Sequence, residues 1–410
     1  MRIGLFTDTY EPHINGVATS ILMLERALKK LGHEVYIVTV NNDILSYDFG
    51  DEHVIRIPGI PTGIYDYRLS GIYPIKAINK IRKWNLDIIH SHTEFGIGTF
   101  ARIMAKQLDI PIVHTYHTMY EDYVHYITRG HFNSTSKKIV EYFTKFYCDK
   151  TVTELIVPTK KTYDLFKEKY KYDRNVHIIP TGIEVERFYK DNIDFSKVAK
   201  IKKDLNIKDD DFVILFVGRI AKEKSIDFLI DNQGSLMRKN KNCKLLIVGG
   251  GPDLDELKKK AKKLVDNVIF TGKVPWVDVP NYYHLASCFA TASTSETQGL
   301  TIIEAMAAGI PVVAYDDEAF NTVIKEGVDG YLFSDKKKYK DSITKLINDK
   351  ELRIKMGAEA LIKSNDYSSK NYAEKVLEIY KLALNGRSTN TKRGFFKKAK
   401  DVFKRGFHEK

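Results

Sequence analysis

Short apolar runs of strand length alternate along this chain with longer stretches in which apolar residues recur every three or four positions. The first runs are residues 2–7 (RIGLFT), 35–40 (VYIVTV), 86–90 (LDIIH), 110–115 (IPIVHT) and 154–157 (ELIV). Between the first two, Val17, Ile21, Leu24, Leu28 and Leu31 fall at helical spacing, with Asn15 as N-cap and Gly32 as C-terminal stop. Such alternation predicts parallel sheets covered by helices on both faces. A second series, 212–217, 244–248, 267–271, 288–291 and 311–314, begins after the turn-rich Pro180-Thr181-Gly182. The expected fold class is therefore α/β, with two Rossmann-like domains facing each other across a cleft. Ligands in such sheets bind beyond the carboxyl ends of the strands. The expected divisions are an N-terminal domain over 1–182, a C-terminal domain over 183–365, a helix over 366–387 and a basic tail over 388–410. In the helix, Tyr372, Val376, Ile379 and Ala383 share one face.

A length of 410 residues accommodates two or three domains, and 43% apolar content is enough for packed cores. Three cysteines, Cys148, Cys243 and Cys288, stand singly and read as buried apolar residues in a reducing compartment. The opening MRIGLFTDTY reaches polar residues too soon for a signal peptide, and no apolar run approaches the length of a membrane span. A cytoplasmic chain is expected.

The net charge of +12 is concentrated at one end. Ser388 to Lys410 hold eight Lys or Arg against Asp401 and Glu409. Within that tail Phe395, Phe396, Ala399, Val402, Phe403 and Phe407 form one helical face, ringed by Lys397, Lys398, Lys400, Lys404 and Arg405. Aromatic residues on one side and lysines around them suit an anionic bilayer surface. Residues 65–84 carry a similar mixture, with Tyr73, Ile75, Ile78, Ile81 and Trp84 among Lys76, Lys80, Arg82 and Lys83. Both stretches are read as membrane-facing; the alternative for each is an amphipathic helix packed on the protein.

Five segments carry chemistry. In 293–311 (STSETQGLTIIEAMAAGIP) the helix from Leu300 to Ala308 is apolar all round, yet contains Glu304, which needs a ligand or protein donors, or an Arg partner in the core. Glu296 precedes the helix, and Gly299 allows close backbone approach. Two acids around free helix amides suit a hydroxyl-rich ligand that also carries an anion. In 217–224 (VGRIAKEK), Arg219 and Lys224 follow a strand and can neutralise a diphosphate, or can be ordinary surface charge; Glu223 reads as a solvated first-turn acid. The glycines of LLIVGGGPDL lack dinucleotide-binding spacing and read as a tight turn into a helix near Pro252. In YEPHINGVATS, Gly16 opens a helix after the first strand, where amides favour an anion.

The segment 112–126 (IVHTYHTMYEDYVHY) is richer and more ambiguous. His114 and His117 would face opposite sides of a strand, which opposes a shared metal unless the strand bends. His117 is better placed to bond a polar ligand. Tyr120, Glu121, Asp122, Tyr123 and His125 form either an acceptor-binding surface or a solvated loop.

Together these segments resemble retaining glycosyltransferases of family 4, which have the two-domain GT-B fold. The likeness spans about residues 1–385 and rests on Gly16, His117, the Arg219 and Lys224 pair, and the Glu296 and Glu304 pair in their family order. It implies a nucleotide-sugar donor bound mostly by the second domain. By this likeness Arg219 and Lys224 hold the diphosphate, Glu304 the ribose, and Glu296 with the amides around Gln298, Gly299 and Leu300 the transferred sugar. The backbone near Val274 would meet the base, while Gly16 approaches the phosphate and His117 the sugar. Many relatives have two glycines where this chain has Asn15-Gly16, so only Gly16 is carried over. His117, Arg219, Lys224 and Glu296 are the implied catalytic residues, and no metal or other cofactor is implied.

The strings PHINGVATS, HSHTEFG, HTYHTMYEDYVHYI and STSETQGLT are similar to the subgroup that glucosylates diacylglycerol. They imply a UDP-glucose donor, a diacylglycerol acceptor, anionic lipids as partners and a peripheral place on the inner face of the cell membrane. The alternatives are another acceptor (a glycolipid, polysaccharide or teichoic acid precursor), a UDP-sugar epimerase, or a basic nucleic-acid-binding protein. The last leaves the two glutamates and two cations unexplained, so no nucleic-acid partner is expected.

Overall fold

The computed structural model describes residues 1–12, 15–61, 68–71, 74–94, 96–117, 152–264, 266–294 and 296–386. The chain divides into two compact units, one formed by Met1–Pro158, Tyr163–Ile179 and Tyr372–Lys410, the other by Thr159–Thr162 and Pro180–Asn371.

The first unit is built on a parallel sheet. Its strands are β1 (Arg2–Phe6), β2 (Glu34–Val40), β3 (Val54–Ile57), β6 (Ile88–Ser91), β7 (Ile112–Thr115), β8 (Glu154–Val157) and β9 (Val176–Ile178), in the order β3-β2-β1-β6-β7-β8-β9. A separate antiparallel pair, β4 (Gly59–Pro61) and β5 (Arg68–Ser70), lies between β3 and β6 in sequence. The order reverses at β1 and β6, so the carboxyl ends of these two strands flank a topological switch point. The helix Gly16–Lys30 follows β1 as expected: the Asn15 side chain accepts from the Ala18 N–H at 2.9 Å, and Ile21, Leu24 and Leu28 are buried. It stops at Leu31, where Gly32 adopts a φ of +83°.

The helix over 369–386 completes the same unit. Its apolar face, with Tyr372, Val376, Ile379, Tyr380 and Ala383, packs in one core with Ile3, Leu5, Ile21 and Leu24.

The second unit holds β10 (Phe212–Val217), β11 (Cys243–Val248), β12 (Val268–Gly272), β13 (Cys288–Thr291), β14 (Val312–Tyr315) and β15 (Gly330–Phe333), all parallel, in the order β12-β11-β10-β13-β14-β15. Here the switch point lies between β10 and β13. Both strands are buried along their whole length and almost wholly apolar, as a sheet covered on both faces requires. Cys243 and Cys288 are buried free thiols, as their isolation in the sequence suggests. Cys148 lies outside the described residues.

The triglycine after β11 acts as close packing. A Cβ on Gly249 would stand 1.9 Å from the Gly218 carbonyl oxygen, and one on Gly251 2.1 Å from that of Ile220, because the turns after β10 and β11 run against each other. Ile220 N–H donates to Gly250 O at 3.0 Å across this contact, and the following helix begins at Leu254. Gly249 also has a φ of +141°. Gly249→Ala is therefore expected to destabilise the protein by about 3 kcal/mol through combined strain and overpacking, read as a lowered urea midpoint.

One expectation is corrected. Of the apolar residues read as lipid-facing, Ile78, Ile81 and Trp84 turn into the protein, whereas Ile75 is 68% exposed. The helix Ile75–Lys83 buries Ala77, Ile78 and Ile81, and Trp84 is only 5% exposed, its indole N–H donating to Glu52 O at 3.0 Å. These side chains share one apolar core with Phe6, Tyr36 and Val38 of the sheet and with Ile97, Phe100 and Met104. Lys80 donates to Phe49 O and Asp51 O at 3.1 and 2.9 Å, and Lys76 lies over the Tyr47 ring. Lys83 is exposed. Tyr73 and the tail residues Phe395, Phe396, Lys397, Lys398, Phe403, Lys404 and Phe407 lie outside the described residues.

Candidate active site

At the switch point of the second unit, β10 ends at Val217 and the chain turns through Gly218 and Arg219 into a short 3-10 turn, Lys222–Lys224. That turn brings residue i and i+4 together, and Arg219 Nη2 is ion-paired with Glu223 Oε1. The sequence suggested a solvated Glu223; instead its side chain is only 6% exposed. The cause is distant in sequence: the loop after β13 reaches the turn, where Ser293 Oγ donates to Glu223 O at 3.4 Å.

The same loop brings Glu296 to Lys224, and Lys224 Nζ is ion-paired with Glu296 Oε1, the two side chains 18% and 20% exposed. Burial pushes the Glu296 carboxyl up, but the Lys224 charge and hydrogen bond, with help from Ser293 and Lys161, hold it below its ordinary value. Lys161 itself bonds Asp317 at 3.0 and 3.1 Å. Two cations expected to meet an anion are thus each held by a carboxylate, and a third ion pair stands near them.

Gln298 and Gly299 shape the loop. The Gln298 amide accepts from Thr181 N–H at 2.7 Å and donates to Thr181 O at 2.8 Å, so this side chain, 4% exposed, is committed to the backbone. Gly299 caps the helix Leu300–Ala307 with a φ of +75°, and a Cβ there would meet the Phe320 ring at 2.5 Å. Only glycine fits, which leaves the amides at the start of the helix without a side-chain cap.

Glu304 is half-buried in that helix. It accepts from the Tyr283 hydroxyl at 2.6 Å, so its protein partner is a phenol. Burial raises the carboxyl to about 7, against the lowering effects of the Tyr283 bond and the Arg187 charge. Arg187 lies over the Trp276 ring at 3.2 Å. Val274, just after β12, packs its side chain on the core.

At the switch point of the first unit, Gly16 is the first residue of its helix, and nothing lies within 4 Å of the place a Cβ would take. Asp8, just past β1, accepts from the Ile97 N–H at 2.9 Å, and burial raises its carboxyl to about 6. His114 and His117 take different partners. His114 Nε2 meets Glu94 Oε1 at 3.0 Å in the interior, whereas His117 Nε2 meets His92 Nδ1 at 3.0 Å. Burial lowers His117 to about 3. Tyr120, Glu121, Asp122, Tyr123 and His125 lie outside the described residues.

Sequence reasoning did not single out Lys161, Asp317, Tyr283, Asp8 or His92. Asp8 and His92 were within reach, since they lie two residues and one residue past the ends of strands beside a switch point. Lys161 and Asp317 are far apart in sequence and nothing local pairs them.

Two family models match the chain: Glycosyltransferase Family 4 over residues 14–187 and Glycosyl transferases group 1 over residues 197–362. The alpha-monoglucosyldiacylglycerol synthase of Acholeplasma laidlawii is 37% identical over 395 residues, covering 93% of this chain and 96% of that protein. Its Streptococcus pneumoniae counterpart is also 37% identical, covering 92% of this chain and 82% of its own length. This chain belongs to the family 4 glycosyltransferases. Among solved structures, the sucrose-phosphate synthase of Thermosynechococcus elongatus superposes on this glycosyltransferase with a TM-score of 0.74 at 20% identity, covering 94% of this chain and 99% of its own. Anabaena HepE, solved in complex with UDP, gives 0.71 at 17%, covering 92% and 99%. The two parallel-sheet units are those of the GT-B fold.

Proposed function

We propose that this glycosyltransferase transfers glucose from UDP-glucose to the 3-hydroxyl of 1,2-diacylglycerol with retention of configuration, giving alpha-monoglucosyldiacylglycerol. The observation that carries the reading is the 37% identity to two alpha-monoglucosyldiacylglycerol synthases over more than nine-tenths of the chain. Site chemistry supports it. Arg219 and Lys224 are the cations for the diphosphate, and the uncapped amides at Leu300 lie beside Glu296 for the sugar. Glu304 accepts from the ribose, and the Val274 backbone meets the base. Gly16 leaves room for phosphate, and His117 is the group we assign to the sugar.

In the reaction the bond from the anomeric carbon to the diphosphate breaks while the acceptor oxygen bonds to that carbon on the same face. The acceptor proton passes to the departing diphosphate. No side-chain nucleophile is needed. The rate then depends on stabilising charge on the leaving group, which Arg219 and Lys224 do, and on holding the acceptor in place. Tyr120, Glu121, Asp122, Tyr123 and His125 remain our candidates for the acceptor. A lipid acceptor places the enzyme on the cytoplasmic face of the membrane, with Phe395, Phe396, Phe403 and Phe407 and the lysines beside them as the anchor. Among the described residues no helix is long and apolar enough to cross a membrane.

The test is transfer of labelled glucose from UDP-glucose to vesicles containing either diacylglycerol or monoglucosyl-diacylglycerol, resolved by thin-layer chromatography. The expected result is a labelled monoglucosyl product from diacylglycerol, unchanged by EDTA and increased by anionic lipid. Label appearing only on the monoglucosyl acceptor would overturn the assignment.

A further inference from the structure

His117 cannot be understood without the ring it touches. His92 lies just after β6, is 1% exposed, and meets His117 edge to edge, with ring centroids 5.3 Å apart and planes inclined by 22°. His92 Nδ1 and His117 Nε2 are 3.0 Å apart. The other nitrogen, His92 Nε2, is buried and has no hydrogen-bond partner among the described residues. On its far side is His90, with ring centroids 4.0 Å apart, whose own nitrogens are engaged by Tyr380 and Thr115 at 2.7 Å each. Burial lowers all three rings below the usual histidine range, so each is neutral near pH 7.

Between two neutral imidazoles one N–H donates, which leaves two arrangements. If His117 donates from Nε2, the His92 proton must sit on Nε2, leaving a buried N–H with no acceptor. If His92 donates from Nδ1, what remains unpaired is only a lone pair. Orphaned buried N–H groups are much the rarer of the two. The second arrangement therefore holds, and it fixes the His117 proton on Nδ1.

We infer that His92 is a positioning residue that locks His117 in its Nδ1–H tautomer, so that His117 donates a hydrogen bond to an oxygen of the transferred sugar. The role in transfer rests on the assignment of His117 to the sugar; the tautomer does not. Because His117 meets sugar and not nucleotide, His92 governs turnover of the nucleotide sugar and leaves the affinity for the bare nucleoside diphosphate alone.

The experiment uses the full chain with His92→Asn, His92→Leu and His117→Ala. An asparagine amide nitrogen takes the place of Nδ1 and keeps the donor, whereas leucine removes it. His92→Leu should lower kcat/KM for UDP-glucose by about tenfold, the scale of one hydrogen bond, with UDP affinity by calorimetry and the melting temperature near wild type. His92→Asn should recover most of the rate. Long-range proton–nitrogen NMR on histidine-labelled protein should show His117, identified by its loss in His117→Ala, as the Nδ1–H form in wild type. An Nε2–H form, or wild-type turnover by His92→Leu, overturns the inference. Wild-type turnover by His117→Ala instead overturns the assignment of His117 to the sugar, while the NMR still decides the tautomer.

Discussion

Replacing Lys224 with alanine should lower kcat for glycosyl transfer by about 10²- to 10³-fold, the usual cost of removing one group that stabilises developing charge in a preorganised site. The loss should fall mainly on kcat, because the leaving diphosphate carries more charge in the transition state than in the bound donor. The same change affects the empty enzyme. Lys224 is what holds the Glu296 carboxyl below its ordinary 4.5 against burial. A carboxylate with a depressed folded pKa adds stability above its unfolded pKa and loses it as pH falls through the folded value. Lys224→Ala should therefore be less stable than wild type at neutral pH, with the gap closing below about pH 4.5. Adding Glu296→Gln should restore the stability and not the rate. Near-wild-type kcat in Lys224→Ala would remove the diphosphate role from this cation.

Glu304→Gln should separate stability from donor binding. In the folded chain this carboxyl is raised to about 7 from an ordinary 4.5, so the native state retains a proton that the unfolded chain releases between those values. Its contribution favours folding at low pH and is lost as pH rises through about 7. The glutamine variant lacks this titration. Its stability relative to wild type should climb between about pH 4.5 and 7 and stay level above. UDP affinity should move the other way. Hydrogen bonds to a charged acceptor are the stronger ones, so loss of the carboxylate should weaken UDP by about tenfold or more above pH 7. Wild-type affinity should strengthen with rising pH through about 7, while that of the variant stays flat. An unchanged affinity would free Glu304 from the ribose.

Much of the fold was legible because buried parallel strands are continuous apolar runs, and 212–217 and 288–291 are observed with those limits. The strands that escaped notice, β3, β4, β5, β9 and β15, are three or four residues long, and β3 alternates partly and fully buried positions. Nothing in so few residues separates strand from loop until a neighbour pairs with them. At the candidate site, strand-end position singled out Arg219 and Lys224, and a lone acid in an apolar helix singled out Glu304. Their partners were not legible to the same degree. Glu223 looked solvated because its sequence neighbours are charged, and the loop that covers it comes from Ser293, 70 residues away. Trp84 and Ile81 looked membrane-facing because an amphipathic stripe is the same pattern whether it meets lipid or a sheet.

The helix over 369–386 has a consequence for how the molecule comes into being. Its Tyr372, Val376 and Tyr380 fill the interior that Ile3, Leu5 and Ile21 begin. On a ribosome those first strands emerge early, yet the residues that close their interior are made only after the whole second unit. The unit started first is finished last. A nascent chain thus holds a half-built apolar interior through most of its synthesis, until this helix is made and closes it.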